Sequence, residues 1–147
     1  MSAYTLRRER TIDSDVYAFF IGEIARANAA VGETLDFSNF DVWDYAAKNL
    51  VWVARKNGQP VGVMFAQLYG SVFDPKSKIL FQDGFYVKKS SGRAAFLLFK
   101  EFIDFGRANA KIIFTCRGKL TNVKARTLER LGFEKSEEIF RLVVGDS

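Results

Sequence analysis

Between an apolar strand and an apolar helix the chain carries Tyr86-Val87-Lys88-Lys89-Ser90-Ser91-Gly92-Arg93-Ala94-Ala95, the segment best suited to hold an anion. A turn of this kind aims several backbone N–H groups with no helical partner at one point, and the helix dipole adds partial positive charge there. Phosphate binds such a place without special side chains. Ser90, Ser91, Gly92, Ala94 and Ala95 are small enough for a ligand to approach the backbone, and Lys88, Lys89 and Arg93 add long-range attraction. The spacing is neither G-x-x-x-x-G-K-[ST] nor G-x-G-x-x-G, so neither a P-loop nor a dinucleotide fingerprint is present. The same composition also suits a loop whose only task is to start a helix.

Histidine is absent. No Ser-His or Cys-His nucleophile and no His-containing zinc site can be built. A general base must therefore be Asp, Glu, Tyr, Lys, Cys or a water chain. Cys116 is the one cysteine, so no intrachain disulfide forms.

The elements that must position these residues follow from periodicity. Tyr4 to Arg8 reads as a strand, and Arg7-Arg8-Glu9-Arg10 as its solvated end. Asp13 or Ser14 caps a helix whose Val16, Phe20, Ile24, Ala27 and Val31 share one face, with Gly32 at its end. Ser38 or Asn39 caps a second helix with Phe40, Trp43, Ala47 and Leu50 on one face. Trp43 and Trp52 both read as core. Val51 to Arg55 is a strand, Asn57-Gly58 a hairpin turn, and Pro60 to Tyr69 the returning strand. After the turn Asp74-Pro75-Lys76-Ser77 comes a long strand from Ile79 to Val87, where Gly84 marks a bulge or a close backbone approach. A helix follows from Gly92, then a strand over Lys111 to Cys116. A short helix begins at Thr121 or Asn122 and ends at Leu131-Gly132. Phe133 and Ile139 to Val144 supply the last strands. The order β-α-α-β-β-β-α-β-α-β-β holds a meander and then a β-α-β crossover, so the sheet is mixed.

With 147 residues, 48% of them apolar, the chain makes one domain spanning 1–147 with an ample core. No apolar run approaches membrane-spanning length and the N-terminus lacks a signal-peptide core, so the expected location is the cytoplasm. The net charge of +5 suits a phosphate-bearing ligand or nucleic acid, although the cations are spread along the chain.

Three motifs, in order, are similar to those of the GNAT N-acetyltransferases. Lys89-Ser90-Ser91-Gly92-Arg93-Ala94 resembles the acyl-CoA loop [RQ]-x-x-G-x-[GA], with Lys at its first position. Asn122-Val123-Lys124-Ala125 resembles the N-x-x-A that opens the next helix, and Leu131-Gly132-Phe133-Glu134 the L-G-F-E that closes it. The likeness covers about Val51 to Val144, and the G-R-A-A form is most like members encoded by tailed bacteriophages. It implies an α+β fold: a mixed, mostly antiparallel twisted sheet of roughly six to seven strands flanked by about four helices. It also implies acetyl-CoA as acyl donor, held by Val87 through Ala95 with Asn122 and Arg126, and no metal. The basic run Arg117, Lys119, Lys124, Arg126, Arg130 and Lys135 suits the 3′-phosphate of CoA or nucleic acid.

The resemblance further implies direct transfer, in which a deprotonated amine attacks the thioester carbonyl while a backbone N–H near the end of the long strand polarises it. Asp83 is then the first candidate base. Strict alternation puts it on a face with Phe85 and Val87, and enclosure by Phe81, Phe85 and Tyr86 would raise its pKa. An Asp beside Gly84 would equally serve to shape a bulge. Tyr86, Tyr69 and Cys116 are further proton carriers, and Asp13, Asp15, Glu23 and Asp36 fall where the family builds its acceptor wall.

Two departures stand out. The loop is short, without the family's usual Pro. Leu128 occupies the position at which many members carry a Tyr that protonates the departing thiolate. The expected function is transfer of an acetyl group to an amine of a small molecule or protein. The alternative is a weak or inactive member serving as a structural or interaction protein, as a homodimer or with a viral or host partner. A nucleic-acid module lacks interleaved basic and aromatic residues and ranks last.

Overall fold

The computed structural model describes residues 3–31, 39–115 and 125–136, with positions 140, 142, 144 and 145. Five strands, β1 (Tyr4–Arg8), β2 (Leu50–Lys56), β3 (Gln59–Gly70), β4 (Lys78–Val87) and β5 (Ile112–Phe114), form one sheet in chain order. The first four pair antiparallel and β5 runs parallel to β4. Short turns permit the antiparallel pairs, whereas the parallel one needs a crossover, here α3 (Gly92–Asn109). The β2–β3 turn has φ of 51° at Asn57 and 82° at Gly58, the left-handed pair that matches strand twist.

Strand alternation divides the core in two. Leu50, Trp52 and Ala54 of β2 face α3, meeting Leu98, Phe99, Phe102 and Ile103. Val51 and Val53 face the opposite way, toward α1 (Ser14–Val31) and α2 (Val42–Lys48), and pack with Val16, Phe20, Ile24, Val42 and Ala46. Both faces of β2 are covered, which is why it reads as an unbroken apolar run. Trp52 is core as expected and meets Phe102 and Phe105 edge-on.

The fourth helix, α4 (Ala125–Arg130), ends in a Schellman turn. Gly132 has φ of 95°, Gly132 N–H bonds the Glu129 carbonyl, and Phe133 N–H bonds that of Leu128. Phe133 and Leu128 then pack against the core on the α3 side.

The structure corrects three expectations. Among the described residues the sheet has five strands, not six or seven. Phe133 lies in no strand because its backbone closes the α4 cap, and Phe140, Leu142 and Val144 are exposed and lie in none either. The second helix starts later than expected, at Val42, because Asp41 is its N-cap and accepts from Asp44 N–H at 3.0 Å. Its buried face is therefore Val42 and Ala46. Trp43 is 50% exposed, stacks on Tyr17 and donates from its indole to the Ile12 carbonyl. Gly32, Ser38, Asp36, Cys116, Thr121, Lys124 and Ile139 lie outside the described residues.

Candidate active site at the open edge of β4

Strand β4 is longer than its neighbour on one side. It pairs with β5 only over Ile79–Phe81, so from Gln82 to Val87 that edge has no strand partner among the described residues. Gln82, buried, accepts from the Thr115 hydroxyl just past the last pair. On the other edge Lys88 N–H bonds Val61 C=O at 2.8 Å. By the two-residue period of an antiparallel ladder, Tyr86 and Gly84 also turn their backbone groups to β3. Phe85 and Val87 therefore turn theirs to the open edge.

The upper end of this edge is the loop singled out above. Lys88, Lys89, Ser90, Gly92 and Arg93 are exposed, and Ser91 is buried. Ser91 is the N-cap residue of α3 but makes no side-chain capping bond. Ala94 N–H and Ala95 N–H bond the Ser91 carbonyl, whereas the N–H groups of Lys89, Ser90, Gly92 and Arg93 find no acceptor among the described residues. Four donors at a helix start, with open space where a Gly92 side chain would stand, suit a phosphate-bearing ligand. Ala94 is fully buried and Ala95 partly so, both against the α3-side core, so any contact they make with a ligand is through backbone. The Arg93 guanidinium lies over the Phe96 ring of its own helix, 5.4 Å from the centroid.

The lower end is a β-bulge. Phe65 of β3 pairs with Gly84 and the adjacent Ala66 with Gln82, which leaves Asp83 as the extra residue. Alternation breaks there, and this corrects the expected face of Asp83. Phe85 and Val87 pack toward α3, while Asp83 turns toward α2. Asp83 is exposed and not enclosed by Phe81 and Phe85. Its Oδ2 accepts two hydrogen bonds of 2.6 Å, from the Tyr45 hydroxyl and from Gln67 Nε2. Burial above all, with the Asp83 hydrogen bond and charge behind it, holds the Tyr45 hydroxyl far above the usual tyrosine range. Gly84 makes room at the bulge: a Cβ there would stand 3.0 Å from Tyr86 Cε2 and 3.3 Å from Phe65 Cδ2.

On the same side of the sheet a cluster of five rings centres on Phe65, and Tyr45 joins that cluster to Asp83. Phe65 lies 4.8 Å from Phe20, 5.5 Å from Tyr45, 6.3 Å from Phe40 and 6.5 Å from Tyr86, centroid to centroid. Tyr86 is half-buried among them, and burial pushes its hydroxyl up. At neutral pH both phenols are proton donors, not bases.

The other expected residues are scattered. Tyr69 is exposed farther along β3, and Arg126 is exposed on α4. Asp13 pairs with Arg55, Glu23 with Arg26, and Asp15 bonds Val16 N–H. Asn122 lies outside the described residues. Tyr45, Gln67 and Phe40 gather at the bulge without having been singled out for the site. Gln67, a polar residue following the apolar run 61–66 of β3, was the one visible signal. Tyr45 gave none, because its partner is 38 positions away. Among the described residues there is no cluster suited to a metal, and no helix is long and apolar enough to cross a membrane.

No protein-family model matches the sequence, and no curated protein matches it. Solved structures do match the fold. A transcriptional regulator from Bacillus halodurans aligns over 97% of this chain and 100% of its own, with TM-score 0.72 and 15% identity. An aminoglycoside acetyltransferase from an uncultured soil metagenomic sample, in complex with sisomicin, aligns over 98% and 97%, with TM-score 0.66 and 16% identity. A predicted acetyltransferase with acetyl-CoA from Clostridium acetobutylicum aligns over 96% of each chain, with TM-score 0.62 and 13% identity. The mixed, mostly antiparallel sheet with helices on both faces is that of the GNAT-type acetyltransferases, whose fold this chain has.

Proposed function

We propose that the protein is an N-acetyltransferase that takes its acetyl group from acetyl-CoA and delivers it to an amine. The observation that carries this reading is the edge of β4 beyond Phe81, which has no strand partner among the described residues, with N–H donors that find no acceptor among them at its upper end and a carboxylate on a bulge at its lower end. Asp83 lies four positions before Val87, on the order of 13 Å along the strand. A ligand whose phosphates sit on the Ser90–Arg93 turn and whose extended arm follows that edge brings its acyl end to the bulge.

The chemistry follows from these positions. Lys88, Lys89 and Arg93 attract the phosphates, and the N–H groups of Lys89, Ser90, Gly92 and Arg93 bind them. Asn122, on the motif that resembles the family's, and Arg126, just past it, complete the donor site. The backbone N–H of Phe85 or Val87 faces the open edge and polarises the thioester carbonyl. The substrate ammonium gives a proton to Asp83, and the neutral nitrogen attacks. A C–N bond forms, the C–S bond breaks, and the thiolate takes the second proton lost by nitrogen. With Leu128 unable to give a proton, Tyr86 on β4 is the candidate phenol to supply it. General acid assistance is worth about 10² to 10⁴ in rate. A site without the family's Tyr therefore turns over slowly.

The test is direct. Acetyl-CoA should raise the melting temperature of the purified chain more than ATP does, and a broad amine screen should then yield acetylated product. No stabilisation by acetyl-CoA or CoA would overturn the reading.

A further inference from the structure

Most carboxylates near the α1 and α2 side of the sheet are already engaged. Glu9 and Asp13 face Arg55, Glu23 faces Arg26, and Asp44 faces Lys48 at 3.0 Å. Asp41 and Asp15 bond backbone N–H groups at helix starts. Asp83 is different. It is exposed, it has no cation partner among the described residues, and its two donors, Tyr45 and Gln67, are neutral. Neutral donors fix the carboxylate in place and leave its full charge for a cation from outside.

The surface next to that charge is aromatic. Tyr45, whose hydroxyl holds Asp83, lies 5.9 Å from Phe40 and 5.5 Å from Phe65. Phe40 is 38% exposed, so an apolar face is open to a ligand beside the carboxylate. Ring faces attract a cation, and they bury apolar surface at the same time. A polycationic, hydroxyl-rich amine would need several free carboxylates and many hydrogen-bonding groups. Among the described residues the ring cluster supplies neither.

We propose that the acceptor at this site is a small primary amine on an aromatic or branched apolar group, its single ammonium on Asp83 and its apolar part on the Phe40, Tyr45 and Phe65 rings. The inference rests on the acetyl-transfer reading above and names the acceptor class for it. Polyamine sugars such as sisomicin are disfavoured by the same features, although a relative of this fold is described with sisomicin bound.

Calorimetric titration of the full chain with 2-phenylethylamine, ethanolamine and sisomicin tests this without requiring turnover. Phenylethylamine should bind at least about tenfold tighter than ethanolamine, the ratio that burial of its ring supplies. Asp83→Asn should abolish that binding, and Phe40→Leu, at a half-exposed position, should weaken it while the protein stays folded. Equal binding of phenylethylamine and ethanolamine, tighter binding of sisomicin, or an Asp83→Asn variant that binds as the parent does would overturn the proposal. Acetyl-CoA is titrated separately. If it fails to bind while the ring-dependent amine binding persists, the donor reading falls and the amine site stands. If it binds and the amines show no ring preference, the amine class falls and the donor reading stands.

Discussion

The Tyr45 hydroxyl donates to Asp83 Oδ2 at 2.6 Å, joining α2 to the bulge of β4. A hydrogen bond to a charged acceptor contributes about 1.5 to 3 kcal/mol, and the exposure of Asp83 brings this one toward the lower end. Tyr45→Phe should therefore destabilise the protein by about 1.5 kcal/mol in denaturant unfolding. The pH dependence has a definite sign. The folded state holds the Tyr45 hydroxyl above its ordinary value of 10.0, so the unfolded chain ionises first. The bond's contribution is complete below about pH 10 and declines above it as the unfolded tyrosine loses its proton. The stability gap between parent and Tyr45→Phe should be constant from neutral pH to about 9 and shrink above 10. A gap that widened there would contradict the bond.

Asp83→Asn separates chemistry from scaffold. The bulge is made by backbone register and by the room at Gly84, neither of which the substitution alters. Asn can still bond Tyr45 and Gln67, but it neither attracts an ammonium nor takes its proton. Turnover should fall by about 10² or more. The dissociation constant of acetyl-CoA should stay within about threefold, under 1 kcal/mol. Equal losses in both measurements would make Asp83 a strand-shaping residue.

Much of this arrangement was legible in the residues. Asn57-Gly58 announced its turn, Gly132 its cap, and Gly84 its bulge, because each answers a local backbone demand. The side to which Asp83 points was not legible. A two-residue period predicts it only where the ladder is regular, and the inserted residue reverses the sides beyond it. Phe40 and Trp43 look like core by spacing, yet α2 begins at Val42, and a short helix rotated by its cap presents a different stripe. Tyr45 joins the site through tertiary packing alone.

Gly92→Val tests the phosphate turn. A Cβ at Gly92 would meet no protein atom within 4 Å, so the fold has room for the larger side chain. A ligand lying against the backbone has none. The melting temperature should be nearly unchanged, and acetyl-CoA affinity should fall about tenfold or more, at least 1.4 kcal/mol. Undiminished binding would place the ligand elsewhere.

Arg93→Glu tests the charge of the same turn. The guanidinium rests on Phe96, which is 57% exposed, and an exposed cation–π contact contributes only about 0.5 to 1 kcal/mol to stability. Reversing the charge should weaken acetyl-CoA binding several-fold at low salt. The loss should shrink as ionic strength rises toward 1 M, where the Debye length is about 3 Å. A salt-independent loss would mean that the substitution acts through packing.

On the acetyl-transfer reading, Leu128 is the position that would divide a competent site from a slow one. Its side chain is half-buried against the α3-side core beside Phe133, and its carbonyl accepts from Phe133 N–H in the turn that ends α4. The Schellman turn is made by backbone and Gly132, so a new side chain at 128 leaves it standing. A tyrosine there adds ring volume at a partly open position, and its stability cost should fall at or below the roughly 1 to 3 kcal/mol of overpacking. Its hydroxyl would restore the proton donor that the resemblance places at this position. Leu128→Tyr should therefore raise turnover by about tenfold to a thousandfold, within the range that general acids supply, and leave acetyl-CoA affinity nearly unchanged. The gain should appear in kcat and not in KM for the amine, because proton return follows acceptor binding. A variant that folds and binds acetyl-CoA yet shows no gain would make Leu128 a packing residue and leave Tyr86 or water as the source of that proton. Tyr86→Phe then decides between them, since only loss of the phenol that serves lowers kcat.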